Sequence, residues 1–429
     1  SFKTQIMRSL LHLALLPSLV VAFVPLIGPL NPLVKEMLIP NPSITVQSQG
    51  LSSSSVSSST SLNLTPDGSS SPPNLTNLKK KRLMSFERYL EVECWSQPEL
   101  KALEPVLSSV ATACVQISKM VSRAQTDDIY GAAMDSSGRI LDSNIQGETQ
   151  QKLDVVCNEI MLRAFCSASG NVAAVASEEE DEARPCKAVM DSDGVEFSEG
   201  EYVAVFDPID GSKNIDSSLP VGTIFGIYKY KDLPPAGVGT FLQRGSNLVA
   251  SGYCLYSATT VLVLTMGKGV DGFTLDPDRR QFLRTHEDMR VPDSGPLICM
   301  NEGNYREYNG AVQHYLKQVK QRGVSDGKGG FTKAQGRYVG ALVADAHNVL
   351  INGGIYGYPG TRENPNGKIR LMYESNPMGM IMEQAGGAAS TGKEKILEVE
   401  PTEIHQRVPT FLGSPLNIME LDECFKYIG

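Results

Sequence analysis

One stretch of the sequence constrains the fold more than any other, because an apolar strand pattern runs directly into two carboxylates. The stretch Tyr202–Ser212 reads Tyr-Val-Ala-Val-Phe-Asp-Pro-Ile-Asp-Gly-Ser. Its β-branched and aromatic residues favour a strand whose end the core can hold rigidly. Pro208 fixes one φ angle between Asp207 and Asp210, so we expect both carboxylates to point to one pocket. The pattern predicts a strand that ends in an acidic site.

The turn after these aspartates is suited to an anion. Gly211 and Ser212 expose backbone amides at a predicted helix start through Asn214 and Ile215, and amides at a helix N-terminus attract phosphate. Carboxylates repel phosphate, so a turn that carries both groups implies divalent cations between them. For the turn alone, the alternative is a capped strand-to-helix junction with surface aspartates.

The length and net charge of the chain limit the classes of protein to which it can belong. A chain of 429 residues with 41% hydrophobic and 20% charged residues can bury a large core, as one large domain or two fused ones. The formal net charge of -9 argues against a nucleic-acid partner, which requires clustered basic residues on one face. The tight basic run Lys79–Arg82 is interpreted as a solvated flank.

The cysteines predict a reducing compartment. The eight cysteines form no Cys-x-x-Cys pair, and no Cys and His cluster has zinc spacing. Most lie in apolar segments. We therefore expect small buried hydrophobic side chains and not a disulfide framework.

The first 84 residues have the composition of a targeting leader. The apolar run Leu10–Ala22 contains Pro17 and follows a short basic start, which is signal-peptide architecture and too short for a membrane span. From Pro25–Arg82 the chain is rich in Ser, Pro and Asn, with only Glu36 and Asp67 acidic. Such a segment cannot build a core, so residues 1–84 are predicted to be a disordered leader without stable membrane association.

This leader resembles the two-part plastid leader of algae with secondary plastids. A signal peptide with Phe23 at its junction, followed by a Ser-rich and acid-poor segment, is the shared pattern. The resemblance implies delivery to the plastid stroma after removal of the leader. The alternatives are a secreted protein with a disordered linker and a cytoplasmic protein.

Further carboxylates end other apolar segments. The run Val172–Ala176 leads into Ser-Glu-Glu-Glu-Asp, and a strand-like run that begins at Leu371 ends in Glu374. Asp154 lies near the start of a predicted helix, and Glu148 lies in the polar loop before it. Four acidic points at the ends of apolar segments favour a shared metal site.

Together these motifs resemble the lithium-sensitive phosphatase superfamily with its Asp-Pro-x-Asp-Gly signature. Within it, Phe206–Asp216 followed by Val221–Tyr228 is similar to fructose-1,6-bisphosphatase. The likeness covers roughly Ser85 to the C-terminus and continues through further blocks, which are Asn301–Gly303, Arg337–Gly340, Gly353–Pro359 and Ile404–Pro409. It implies an α/β fold, a layered αβαβα sandwich of two sheets with helices between and outside them.

The resemblance also implies roles for individual residues. Two or more Mg²⁺ or Mn²⁺ ions per subunit would be held by Glu178, Asp207, Asp210, Glu374 and the backbone carbonyl of Ile209. Catalysis would fall to Glu179, assisted by Asp154 and Glu148, which orient and deprotonate the attacking water. The 1-phosphate would lie on Asp210, Gly211 and Ser212, with Lys213 beside it or pointing to solvent. The second phosphate and the sugar would contact Asn301, Tyr338, Tyr358, Lys368, Arg370 and, from a neighbouring subunit of a homotetramer, Arg337.

The implied activity is Mg²⁺-dependent hydrolysis of the 1-phosphate of D-fructose 1,6-bisphosphate. Sedoheptulose-1,7-bisphosphatase is the alternative of the same chemistry, and a catalytically silent sugar-phosphate sensor is the alternative of another class. A silent relative should have lost some of the carboxylates, whereas here every expected acidic position is filled. We expect residues 85–292 to form a half with the metal site and residues 293–429 a half that binds the sugar and 6-phosphate.

Periodicity and apolar runs predict the elements around the site. The main expectations are a helix over Leu100–Ala124, a loop over Gln125–Thr149, a helix over Gln151–Phe165 and a helix over Tyr338–Val349.

Overall fold

The computed structural model describes residues 83–131, 151–167, 170–186, 189–190, 196–197, 200–230 and 240–428. Residues 1–82 of the predicted leader, Glu148 and most of the loop predicted over Gln125–Thr149 lie outside the described residues. Contacts divide the chain between Arg82 and Leu83, and the unit that begins at Leu83 contains all of the elements below.

The described residues form seven α-helices. They are α1 Phe86–Ser96, α2 Glu104–Val121, α3 Lys152–Ser167, α4 Gly310–Arg322, α5 Leu342–Asn352, α6 Asn376–Gln384 and α7 Pro415–Ile428. A 3₁₀ segment, Pro98–Leu103, leads into α2, so the apolar spacing predicted from Leu100 is helical in two pieces.

The strands of the described residues are between two and nine residues long. They are β1 Val172–Ser177, β2 Arg184–Pro185, β3 Val189–Met190, β4 Glu196–Phe197, β5 Tyr202–Asp210, β6 Val221–Lys229, β7 Leu248–Tyr256, β8 Thr260–Thr265, β9 Asp271–Asp276, β10 Gln281–His286, β11 Leu297–Cys299, β12 Val324–Ser325, β13 Phe331–Thr332, β14 Gln335–Gly336, β15 Gly354–Tyr358, β16 Ala388–Ser390 and β17 Thr410–Gly413.

Two sheets organise these strands. The first sheet has eight strands in the order β10-β9-β8-β7-β6-β5-β1-β2, and the second has five in the order β14-β11-β15-β17-β16. In the first sheet β1 and β5 are parallel, while each successive pair from β5 to β10 is antiparallel. The end of β1 and the end of β5 therefore lie at the same edge.

The elements stack in five layers. Helices α1, α2 and α3 cover one face of the first sheet, and α5 and α6 lie between the two sheets. Helices α4 and α7 cover the outer face of the second sheet. The predicted αβαβα sandwich is confirmed.

Strand β5 is the most enclosed element of the first sheet, with all nine of its residues buried. Val203 and Val205 face the core between the sheets, whereas Ala204 and Phe206 face the core under α3. A register shift between Asp207 and Asp210 interrupts the pairing with β6, and such bulges re-aim side chains. The strand thus presents two carboxylates from a rigid support.

Two predicted elements near the site are different in the structure. The helix predicted over Tyr338–Val349 begins only at Leu342, because Gly340 has a φ of +85° and the preceding turn is held by the carboxylate of Asp345. The strand-like run that ends in Glu374 is instead the π-helical turn Leu371–Ser375, which continues into α6.

The cysteine prediction is wrong for one pair. Cys166 at the end of α3 and Cys186 after β2 form a disulfide, with Cα atoms 4.7 Å apart. Cys186 N donates to the carbonyl of Ala173 at 2.9 Å, which places Cys186 beside β1. The other six cysteines are free and buried, as predicted. Spacing could not reveal the pair, because its partners meet only when α3 folds onto the first sheet.

We expect the Cys166–Cys186 disulfide to stabilise the fold, because it closes a segment of 20 residues and reduces the entropy of the unfolded chain. Cys186→Ser should lower the free energy of unfolding by about 3 kcal/mol. Denaturant titration with and without dithiothreitol measures this. Reductant should destabilise the wild type and leave the variant unchanged, and equal stability of the two proteins in oxidising buffer would contradict the prediction.

Candidate active site

An open cleft of about 260 Å³ lies where β1 and β5 end. It gathers most of the residues predicted for the site, namely Asp154, Glu178, Glu179, Asp207, Ile209, Asp210, Gly211, Ser212, Lys213, Tyr338, Tyr358, Lys368, Arg370 and Glu374. Asn214, Gly340 and Ile369 also line it. Asn301 and Arg337 do not line the cleft, and Glu148 lies outside the described residues.

Buried carboxylates form the floor of the cleft. One oxygen atom each of Asp207, Asp210 and Glu374 lies within 4.8 Å of the others, and all three residues are buried. Glu178 joins them through Arg370, whose Nη1 lies 3.1 Å from Glu178 Oε1 and 3.9 Å from Glu374 Oε2. Carboxylates from three distant parts of the chain therefore converge on one point.

Each carboxylate of the floor has a backbone support. Asp210 accepts hydrogen bonds from Leu342 N at 3.1 Å and Val343 N at 2.7 Å, at the N-terminus of α5. Asp207 accepts from Ile209 N at 2.9 Å. A helix N-terminus and nearby amides favour negative charge, so the fold partly compensates for burying these groups.

Glu374 is held by the π-helical turn itself. Its Oε2 accepts from Arg370 N at 2.7 Å, and Ser375 N donates to the Arg370 carbonyl at 2.9 Å, which closes the turn. The turn points Glu374 back toward its own start. No strand would do so, since alternate strand residues point to opposite faces.

The segment Glu178–Asp181, here called the acidic turn, sends its glutamates in two directions. Glu178 and Glu179 line the cleft. Glu180 instead accepts a hydrogen bond from Asn158 Nδ2 at 2.8 Å and lies 4.0 Å from Arg184. Local sequence does not distinguish three consecutive glutamates. The family resemblance assigned roles to Glu178 and Glu179, and in the structure Glu180 contacts Asn158 instead of lining the cleft.

Asn158 is a site residue that the sequence reasoning missed. Its Oδ1 accepts from the Ser177 hydroxyl at 2.6 Å, and Ser177 Oγ accepts from Glu179 N at 3.2 Å. Asn158 therefore supports the acidic turn from α3. Its spacing of four residues from Asp154, which places both on one helix face, was the available signal.

The turn after β5 requires glycine. Gly211 has a φ of +75°, and a Cβ added there would lie 2.6 Å from the Cβ of Ala341. The 3₁₀ helix Ser212–Ser217 begins directly afterwards. Gly211, Ser212 and Lys213 line the cleft beside the carboxylates, so backbone amides and a cation adjoin the acidic floor.

Tyrosines and cations line the cleft beyond the acidic floor. Tyr338, Tyr358 and Lys368 lie there, and Tyr338 is 40% exposed. Asp345 accepts hydrogen bonds from Val339 N at 2.9 Å and Gly340 N at 3.0 Å, which holds the turn that carries Tyr338.

The electrostatics of the floor favour a bound cation. Burial, followed by the neighbouring Glu178 carboxylate, raises the pKa of Asp207 well above its ordinary value. Burial likewise raises the pKa of Glu374, although Arg370 opposes the shift. Burial raises the pKa of Asp210 to about 7 despite its two amide donors. Clustered carboxylate oxygens are the hard ligands that Mg²⁺ and Mn²⁺ prefer, so the donor set fits such an ion.

Two family models match the chain. The model described as “Fructose-1-6-bisphosphatase, N-terminal domain” matches residues 89–287. The model described as “Fructose-1-6-bisphosphatase, C-terminal domain” matches residues 291–426.

Relatives named for two compartments are similar to the chain. A protein named “Fructose-1,6-bisphosphatase, cytosolic” from Spinacia oleracea is 41% identical over 333 residues, covering 77% of this chain and 92% of the relative. A protein named “Fructose-1,6-bisphosphatase, chloroplastic” from Pisum sativum is 44% identical over 341 residues, covering 76% of this chain and 78% of the relative. Identity therefore does not separate the compartments.

A solved structure has the same fold. The holo form of Leishmania major fructose-1,6-bisphosphatase matches with a TM-score of 0.70 and 34% sequence identity. The match covers 81% of this chain and 99% of that one.

Stability without metal should fall as the pH rises. The pKa of Asp210 moves from an ordinary 3.8 to about 7, and that of Asp345 to about 6. The folded protein therefore retains protons that the unfolded chain has lost, and native stability decreases from about pH 4 to about pH 7. Thermal unfolding in a chelator should show this decline. Mg²⁺ should raise the melting temperature at about pH 8 and have little effect at about pH 5.

Asp210→Asn provides the control, because it removes one of the carboxyl groups whose pKa burial raises. Its melting temperature in chelator should decline less than that of the wild type over the same range. A wild-type melting temperature that rises from about pH 5 to about pH 8 in chelator would contradict the prediction.

Proposed function

The chain belongs to the fructose-1,6-bisphosphatase family, and we propose that the acidic cleft is its active site. The protein hydrolyses the 1-phosphate of D-fructose 1,6-bisphosphate and releases fructose 6-phosphate and phosphate. The observation that carries the assignment of the site is the convergence of Glu178, Asp207, Asp210 and Glu374 on one cleft.

We propose that these four carboxylates and the backbone carbonyl of Ile209 hold two or more Mg²⁺ or Mn²⁺ ions. The buried carboxylates of Asp207, Asp210 and Glu374 and their raised pKa values support this. Bound divalent ions supply charge neutralisation at the phosphoryl group and lower the pKa of water.

The remaining carboxylates of the cleft suit proton transfer. Glu179 lines the cleft beside the floor, and its backbone is held through Ser177 and Asn158. Asp154 lines it from α3, where Gln151 N donates to its carboxylate at 2.8 Å. We propose that Glu179, assisted by Asp154 and by Glu148 from the polar loop, orients the attacking water and accepts its proton.

The phosphoryl group that is transferred needs donors beside the floor. The amides of Gly211 and Ser212 and the Lys213 ammonium would contact its oxygen atoms. Asp210 links this turn to α5, so the phosphate site and the acidic floor have a common support.

We propose that residues 293–429 bind the second phosphate and the sugar, and that residues 85–292 supply most of the metal site. Lys368 and the hydroxyls of Tyr338 and Tyr358 would contact the phosphate, and Arg370 the sugar; all four line the cleft. Asn301 belongs to the same group, since its carbonyl accepts a hydrogen bond from Tyr308, which neighbours both tyrosines.

Arg337 suggests a shared site in a homotetramer. It is exposed, does not line the cleft of its own chain, and donates to the Gly336 carbonyl at 3.0 Å. We propose that it reaches the second phosphate of a neighbouring subunit. Sedimentation should give four copies, and a monomer with full activity would contradict the assembly.

We propose that the protein acts in the plastid stroma. The support is the composition of residues 1–84, since relatives of both compartments are similarly close. A fusion of this segment to a fluorescent protein should enter plastids of an alga with secondary plastids. Retention in the secretory pathway would exclude the assignment.

Glu179→Gln should reduce kcat by about 100-fold or more, because an amide cannot accept the proton of the attacking water. Glu180→Gln is the matched control, since Glu180 faces Asn158 and not the cleft. It should retain kcat within a few-fold. Steady-state phosphate release measures both, and equal losses in the two variants would contradict the assignment.

Lys368→Met should raise KM for fructose 1,6-bisphosphate by about 10- to 100-fold, because it removes a charge-assisted hydrogen bond to the second phosphate. Activity on fructose 1-phosphate, which lacks the second phosphate, should not change. Exposed Lys268 supplies the control variant Lys268→Met. An equal effect on both substrates would exclude a second-phosphate role for Lys368.

Assays of the wild type with sedoheptulose 1,7-bisphosphate would measure its preference between that substrate and fructose 1,6-bisphosphate.

A further inference from the structure

A tyrosine and a histidine connect two of the chain segments that supply the acidic floor. The Tyr373 hydroxyl lies 2.8 Å from His405 Nδ1, and the two rings meet edge to face with centroids 5.7 Å apart. His405 Nε2 lies 3.3 Å from the backbone oxygen of Asp181. The contacts therefore run from the neighbour of Glu374 to the acidic turn.

The hydrogen-bond chemistry gives this link a direction. The Asp181 oxygen is a carbonyl and can only accept, so His405 Nε2 carries a proton and donates it. In the neutral ring Nδ1 is then the acceptor of the Tyr373 hydroxyl. Both hydrogen bonds are satisfied without a charged group.

The histidine is firmly attached to the segment that carries Glu374. Leu371 N donates to the Gln406 carbonyl at 2.7 Å, and Val408 N donates to the Ile369 carbonyl at 3.0 Å. Tyr373 itself is fully buried. His405 and the π-helical turn therefore belong to one hydrogen-bonded unit, and the bond from His405 to Asp181 extends from this unit to the acidic turn.

Arg370 also joins the two segments, but in a different way. Its guanidinium contacts the carboxylates of Glu178 and Glu374 themselves. A cation would compete for those same oxygen atoms. The link through Tyr373 and His405 uses a hydroxyl, an imidazole and a backbone carbonyl, so it leaves the carboxylate oxygens available.

The acidic turn has a second support, from α3. Asn158 on α3 holds Ser177 and Glu180, which flank Glu178 and Glu179. Asp181, at the end of the turn, is exposed. The contact from His405 therefore reaches the last residue of the turn, whereas Asn158 contacts Ser177 and Glu180.

We propose that Tyr373 and His405 are positioning residues, which hold the acidic turn at the distance from Glu374 that a shared divalent cation requires. The proposal rests on the proposed function, because it assumes that Glu178 and Glu374 bind the same metal centre. Groups that orient metal ligands typically change metal affinity by about 10- to 100-fold when they are removed.

Direct binding of Mn²⁺, followed by electron paramagnetic resonance of the free ion, tests this without an activity assay. His405→Ala removes both hydrogen bonds and should weaken Mn²⁺ binding by about 10-fold or more. Tyr373→Phe keeps the ring and removes one bond, and His405→Gln keeps a donor for the Asp181 carbonyl. Both should lie between the wild type and His405→Ala. The double variant Tyr373→Phe/His405→Ala should bind no more weakly than His405→Ala.

Kinetics separate positioning from a general loss of structure. The Mg²⁺ concentration for half-maximal activity should rise in His405→Ala in parallel with the loss of Mn²⁺ affinity. The kcat at saturating Mg²⁺ should stay within about three-fold of the wild type, because no reacting group has been removed.

The chain offers a matched control pair. The Tyr253 hydroxyl lies 2.7 Å from His347 Nδ1, again with the rings edge to face at 5.8 Å, but this pair joins β7 to α5 and not to the acidic turn. Tyr253→Phe and His347→Gln should lower thermal stability and leave Mn²⁺ affinity unchanged. If the control variants lose as much Mn²⁺ affinity as His405→Ala does, the loss in His405→Ala reflects general destabilisation, and the proposal is overturned.

Asp207→Asn distinguishes this inference from the proposed function. If Asp207→Asn loses Mn²⁺ binding while Tyr373→Phe and His405→Ala bind as the wild type does, the positioning role is wrong and the metal site stands. If Asp207→Asn binds Mn²⁺ like the wild type, the metal site itself is wrong, and the positioning role with it.

Discussion

The repulsion among carboxylates buried in one cleft is the constraint on which the rest of this structure depends. Asp207, Asp210 and Glu374 would each prefer water, and neighbouring carboxylates, Glu178 in every case, raise the cost of ionising them further. Apolar side chains in the same places would pack more favourably. The carboxylate cluster therefore lowers the stability of the core. Such clusters are found at functional sites, where a bound ligand supplies the compensating positive charge.

The surrounding architecture compensates for this cost with rigid elements and backbone donors. The enclosed strand β5 fixes two carboxylates, the N-terminus of α5 supplies amides to Asp210, and a π-helical turn points Glu374 inward. Arg370 adds the one guanidinium that lines the cleft among the described residues. Because these supports come from the first sheet and from the helical layer between the sheets, the site requires those two layers to pack together.

Family membership and local geometry contribute different parts of the functional account. The comparisons identify the reaction, since relatives of about 40% identity cover most of the chain. The geometry assigns directions to side chains, so that Glu179 faces the cleft while Glu180 faces Asn158. The contact from His405 to Asp181 also comes from the geometry alone. These two residues are more than 200 positions apart in the sequence, so no local pattern connects them.

The sequence by itself determined the layered class, through its resemblance to a known family, and it predicted the carboxylates that the cleft gathers, because acidic ends of apolar segments are local patterns. It could not determine the π-helical turn at Glu374, the start of α5 at Leu342 or the Cys166–Cys186 disulfide. Each of these depends on contacts between residues distant in the chain or on a side chain that returns to the backbone. Local propensity records neither, so only the packed tertiary structure decided them.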